Sequence, residues 1–248
     1  EHGRRSKTRT EHEGSVTVLA SHFEVRRFNS PNELVIESHV AIWFTDPDYG
    51  ILSDYEGGRA HSETDGCHVY RLSPDGGDIR RVADDFVKPN GLAFSPDETV
   101  LYIVDSGASH VEDGPRHIRA FDVRPDGSLA GAMKHDDRRH DPGHDSARGM
   151  RTLSADVGEP ARSGRALIEM PSGIPDGLRV DEFGNIWTSA EDGIHCYAPD
   201  GALLGKILLP EVSANLTFGG RLRNRLFITA SSSVYSVHVA VRGAPNRR

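Results

Sequence analysis

Four polar residues stand at the mouths of strand-like stretches in this 248-residue chain: Asn32 in Pro31-Asn32-Glu33, Asn90 in Pro89-Asn90-Gly91, Asp176 in Pro175-Asp176-Gly177 and Asn215 in Asn215-Leu216-Thr217. Amide and carboxylate oxygens are hard donors, suited to Ca²⁺, Mg²⁺ or Mn²⁺ and acceptable to Zn²⁺. Of the four, only Asp176 can also take a proton; a neutral asparagine can position a reactant but cannot act as a base. The competing reading is local, because an Asn or Asp before Gly is commonly a turn residue.

What favours a shared site is repetition. Lys88-Pro89-Asn90-Gly91-Leu92-Ala93-Phe94 runs through the turn Ser95-Pro96-Asp97 into Val100-Leu101-Tyr102-Ile103-Val104-Asp105. Pro175 to Asp181 does the same before Ile186-Trp187-Thr188-Ser189-Ala190, and weaker copies join Pro31–Ile36 to Ile42–Asp46 and Asn215–Phe218 to Arg225–Thr229. Each copy reads as strand, tight turn, strand. The four marked positions are 58, 86 and 39 residues apart. A four-stranded propeller blade takes roughly 40 to 45 residues, so the last interval fits one blade and the first a blade with a long loop. The middle one requires a loop insertion or an extra blade. First strands of successive blades line a central channel, so equivalent positions would converge on its axis. The expectation is one all-β propeller domain over residues 1–248. Asp46, Asp105 and Asp181 then read as strand-end or turn residues, Trp43 and Trp187 as matched core positions, and Asn215 as a structural hydrogen-bonder of its blade.

Composition agrees with this. A hydrophobic fraction of 36% with 26 glycines suits many short strands. A formal charge of −8 argues against nucleic acid or an anionic membrane as the main partner. There is no apolar run of transmembrane length and no leader-like amino terminus, so the expectation is a soluble, cytoplasmic protein. Cys67 and Cys196 lie in strand-like stretches far apart and read as buried free thiols. Residues 133–164 differ from the rest: charged, rich in Gly and His and without apolar period, they read as a flexible surface insertion. Its His135, His140 and His144 read as loop residues rather than metal ligands.

Several of these segments, PNGLAFSPDETVLYIVDSGASH, FTDPDYGI, PDGLRVDEFGNIWTSAEDGIHCYAPDG and NLTFGG, resemble in linked order the gluconolactonase and regucalcin family. Those are six-bladed propellers that open sugar lactones with one divalent cation in the central channel. The resemblance implies that Asn90 and Asp176 are metal ligands, that Asp176 is also the general base or nucleophile, and that Asn32 is a channel asparagine near metal and substrate. It implies a small sugar lactone as partner and Ca²⁺ as the first choice of cation, with Mg²⁺, Mn²⁺ or Zn²⁺ as the others. Tyr49 of FTDPDYGI reads either as a loop anchor or as a wall of the substrate pocket.

The chain also departs from that pattern. The family's metal-binding glutamate belongs to a Glu-Gly-Pro motif of the first blade, which this sequence does not contain, and Glu33 stands where relatives often have Asp. The chain opens at Glu1 in what already reads as strands, so the first blade is expected to be missing or incomplete. Two functions follow from this: a metal-dependent lactone hydrolase, or a propeller that binds a cation or metabolite without turnover.

Overall fold

The computed structural model describes residues 2–131 and 164–245, and within them the chain is all-β apart from one helical turn and two 3₁₀ turns. Two hairpins come first, β1 (Lys7–Thr10) with β2 (Val16–Ala20) and β3 (His22–Phe23) with β4 (Arg26–Arg27). The first four-stranded sheet follows: β5 (Leu34–Ile36), β6 (Ile42–Asp46), β7 (Cys67–Leu72) and β8 (Ile79–Phe86), with the turn α1 (Tyr49–Leu52) between β6 and β7. The second holds β9 (Pro89–Phe94), β10 (Val100–Asp105), β11 (His117–Val123), β12 (Leu129–Gly131) and β13 (Arg165–Glu169). The third runs β14 (Leu178–Val180), β15 (Ile186–Ala190), β16 (Gly193–Tyr197) and β17 (Leu203–Leu208). Three strands make the fourth, β18 (Ser213–Gly219), β19 (Arg225–Ala230) and β20 (Val234–His238). Each sheet is an antiparallel meander, and the first strands pack in succession, β5 on β9, β9 on β14 and β14 on β18. This is the propeller-like arrangement, with four blades among the described residues.

Strand alternation decides what each blade buries, because successive side chains leave opposite faces of a sheet. On β9 and β10, Leu92, Phe94, Leu101 and Ile103 face the first blade and join Trp43, Val69 and Phe121. Their neighbours Ala93, Tyr102 and Val104 face the third blade, where Met170, Leu178, Ile186 and Tyr197 meet them. Trp187, Ile194, Leu216, Leu226 and Ile228 fill the next gap. β9 and β15 are therefore buried along their length, whereas β17 and β20 are largely exposed.

The tryptophans show the repeat at atomic detail. Trp43 Nε1 donates to Glu37 at 2.8 Å and its ring meets Phe94 of the next blade edge-on at 5.5 Å. Trp187 Nε1 donates to Asp181 at 2.9 Å and meets Phe218 edge-on at 5.8 Å. Both are core, as expected, and both thiols are free and buried.

The approach to Asn32 contains the small hairpin of β3 and β4, and the loop after Asp46 contains α1, where Gly50 and Ile51 pack inward. The 86-residue interval holds one blade and no second one among the described residues. β12 and β13 pair end to end along the same edge of β11, Gly131 opposite Phe121 and Arg165 opposite Ala120. The extra length thus enters within one outer strand. The insertion read over 133–164, with its three histidines, lies outside the described residues except for Gly164.

Candidate active site

Asn90-Gly91 is not a turn. It lies inside β9, and Asp176-Gly177 leads directly into β14. The glycines are needed for close approach between blades: a Cβ on Gly91 would sit 2.3 Å from the Asp176 carbonyl oxygen, and one on Gly177 would sit 2.4 Å from Asn215 Oδ1. In their place are hydrogen bonds, Gly91 N–H to the Asp176 carbonyl at 3.0 Å and Gly177 N–H to the Ala214 carbonyl at 2.8 Å. The backbone that carries each polar side chain is thereby fastened to the neighbouring blade.

The approach to each asparagine is fixed by an aspartate at the end of the following strand. Asp46 accepts the backbone N–H groups of Asn29 and Ser30, both at 2.9 Å. Asp105 accepts those of Val87 at 3.0 Å and Lys88 at 2.9 Å. Ser30 and Lys88 each stand two residues before the site asparagine. The strand-end aspartates are structural, and what they position is the site.

These supports bring Asn32, Asn90 and Asp176 together. Asn32 Nδ2 donates to Asn90 Oδ1 at 2.9 Å, and the Asn90 amide lies near enough to the Asp176 carboxylate to favour its charged form. Asn90 is buried. Asp176 is hemmed in by protein yet still reachable, and burial pushes its carboxyl up to about 7, with the negative charges of Glu33 and Glu56 adding to the effect and Asn90 opposing it. Among the described residues no cationic side chain pairs with Asp176.

Tyr49 borders this group. Its ring lies 5.2 Å from that of His110, its hydroxyl 3.3 Å from Ser109 Oγ, and Lys88 Nζ sits 5.7 Å from its centroid. Burial pushes the phenol up to about 12, with the neighbouring Ser109 and Ser106 hydroxyls opposing and the charges of Asp176 and Asp105 adding. Lys88 is itself paired with Asp48.

Four contributors were not marked as site residues by sequence reasoning. Glu33 accepts from Asn215 Nδ2 at 2.5 Å and pairs with Arg179 at 3.4 Å. That contact brings the fourth marked residue, Asn215, to the same place, and only the position of Glu33 beside Asn32 hinted at it. The charge of Glu56, in a loop with no motif, also acts on Asp176. Lys7, 4% exposed, donates to the Asn32 carbonyl at 2.9 Å, and burial lowers its ammonium to about 8 against the pull of Asp46 and Glu33. Ser106 contacts Asn90. Nothing in the sequence around Lys7 or Ser106 distinguishes them.

Among the described residues no three His, Cys, Asp or Glu side chains form a metal-binding cluster. A cation here would depend on amide oxygens. The donor chemistry fits one: Asn32, Asn90 and Asp176 offer only oxygen, and the Asp176 carboxylate, beside two further acidic groups, has no positive partner among the described residues. No helix among the described residues is long and apolar enough to cross a membrane.

Comparison with known proteins gives a consistent family. Residues 3–232 match the family model described as SMP-30/Gluconolactonase/LRE-like region. A gluconolactonase of Zymomonas mobilis is 31% identical over 229 residues, 92% of this chain and 55% of that protein. A solved gluconolactonase from Xanthomonas campestris is 34% identical with a TM-score of 0.75, covering 98% of this chain and 67% of that one. A calcium-binding regucalcin from Agrobacterium tumefaciens shares the fold at 19% identity, TM-score 0.63, covering 95% of this chain and 70% of that one. The chain spans about half the length of the two curated relatives it matches most fully.

Proposed function

Because the chain belongs to the SMP-30/gluconolactonase/LRE-like family, we propose that it is a divalent-metal-dependent hydrolase of sugar lactones, acting in the channel between its blades. The observation that carries the reading is the contiguous set Asn32–Asn90–Asp176 with its uncompensated negative charge. The homologues named gluconolactonase and lactonohydrolase favour turnover over the alternative of a non-catalytic cation- or metabolite-binding propeller. Asn32, Asn90 and Asp176 would hold the cation, Ca²⁺ first, with Mg²⁺, Mn²⁺ and Zn²⁺ as alternatives. When bound, a divalent cation polarises the lactone carbonyl and stabilises the negative charge that develops on it.

The chain's own residues supply the rest. Asp176 accepts a proton as a water oxygen bonds to the carbonyl carbon, a contribution of roughly 10² to 10⁴ in rate. The ring C–O bond then breaks, and the departing oxygen takes that proton back from Asp176, leaving an open-chain hydroxy acid. Asn90 and Asn32 orient but take no proton. Tyr49, with His110 beside it, forms a wall for the substrate. On this reading residues 1–248 belong to a single propeller and the four described blades are part of a six-bladed ring.

The test is proton release from glucono-δ-lactone by chelator-stripped protein before and after Ca²⁺, Mg²⁺, Mn²⁺ or Zn²⁺ is returned. Stripping should abolish turnover and one of the cations restore it. Turnover indifferent to cations would remove the mechanism.

A further inference from the structure

Ser106 follows β10 and has a single hydroxyl proton. Its Oγ lies 2.6 Å from the Pro175 carbonyl oxygen, which has no proton to give, so Ser106 is the donor there. The same Oγ lies 3.2 Å from one end of the Asn90 side-chain amide. With its proton directed at Pro175, Ser106 can only accept from Asn90, so that end must be Nδ2. The other end, Oδ1, then faces Asn32 Nδ2 at 2.9 Å. The chain of donors and acceptors has only one consistent polarity.

We propose that Ser106 is a positioning residue that fixes the amide polarity of Asn90, so that its oxygen, not its NH₂ group, is offered to a divalent cation at the site. The inference rests on the cation reading above and deepens it. An amide that could flip would present an oxygen in one state and a repelling N–H dipole in the other, and fixing it removes the second state. Ser106 also bonds the carbonyl of the peptide that leads into Asp176, so one hydroxyl registers the two best-placed ligands against each other. The hydroxyl is not part of the repeated framework: after Asp46, the matching place holds Pro47, which has none. The backbone N–H of Ser106, which donates to the Lys88 carbonyl at 2.9 Å, is kept by any residue except proline.

The test compares wild type, Ser106→Ala and Ser106→Thr by two readouts. One is Ca²⁺ affinity by calorimetry; the other is the Asn90 side-chain NH₂ signal in protein labelled with ¹⁵N at asparagine, assigned by its loss in Asn90→Ala. Wild type should show two well-separated Asn90 NH₂ protons that exchange slowly. Ser106→Ala should merge and speed them and weaken Ca²⁺ by roughly 10- to 100-fold, the usual effect of losing an outer-shell partner. Ser106→Thr, which keeps the hydroxyl, should retain both. If Ser106→Ala does not fold, Ser106→Cys, close in size but a poor hydrogen-bonding partner, takes its place with the same expectation. Unchanged NH₂ signals with unchanged Ca²⁺ affinity in Ser106→Ala would overturn the proposal while leaving the cation reading intact. Absence of Ca²⁺ binding by wild type, with NH₂ signals that respond as expected, would sustain the orienting role of Ser106 and instead overturn Ca²⁺ as the ligand.

Discussion

His68 shows how a buried side chain ties stability to pH. Its Nε2 lies 2.9 Å from Asp65, which makes it the protonated nitrogen, while Nδ1 is buried without a hydrogen-bond partner. Adding a second proton would place an N–H where nothing accepts it, and burial holds the imidazole below its usual 6.5 despite Asp65. The folded state therefore binds fewer protons than the unfolded one, so stability is lost as pH falls through and below that value. We expect the unfolding free energy of wild type to drop between pH 7 and 5, and His68→Gln to drop less steeply, by up to about 1.4 kcal/mol per pH unit. Parallel profiles in denaturant titrations would refute the assignment. Legibility was uneven at this scale. That Asn32, Asn90 and Asp176 come together was readable because a repeat marked their places, and the core packing of Trp43 and Trp187 was readable for the same reason. Lys7, Glu56 and Ser106 were not, because each acts on these residues from a distant part of the chain and leaves no local pattern.

At the scale of elements, strand and turn positions were legible from alternation and from Ser-Pro-Asp and Pro-Asp-Gly punctuation. The role of the glycines was not. Asn90-Gly91 looks like a turn in sequence, yet the requirement for glycine is set by a carbonyl of the next blade, a distance that no local pattern encodes. Gly91→Ala should accordingly destabilise the protein by roughly 1–3 kcal/mol, the usual range for overpacking. It should also weaken cation binding by pushing the Asp176 peptide away from Asn90. The same substitution at Gly205, whose Cβ would meet nothing within 4 Å, should do neither. Equal unfolding midpoints for Gly91→Ala and Gly205→Ala would show that the blades do not close as described. Trp43→Ala should be costlier, about 3–5 kcal/mol, since its fully buried ring packs on Phe94 of the next blade and its N–H holds Glu37 within its own.

For the whole molecule, the class of architecture was legible because spacing and motif order carry it, but the place of the added length was not. Gly131 and Arg165 pair with adjacent residues of β11, so removal of residues 132–164 with a short Gly-Ser link should leave a nearly continuous outer strand. Thermal unfolding should remain cooperative; a loss of cooperativity would show that the segment is structural. The central claim is that residues 58 and 86 positions apart form one cation-dependent catalytic site. Lactone hydrolysis measured across a cation titration for wild type, Asn90→Ala and Asp176→Asn tests it most directly. Asn90→Ala removes one neutral oxygen, so excess cation should refill its site and recover part of the activity. Asp176→Asn keeps an oxygen but has no base, so turnover should stay at least about 10²-fold below wild type at any cation concentration. Near wild-type turnover by Asp176→Asn, or equal rescue of both variants, would contradict the account.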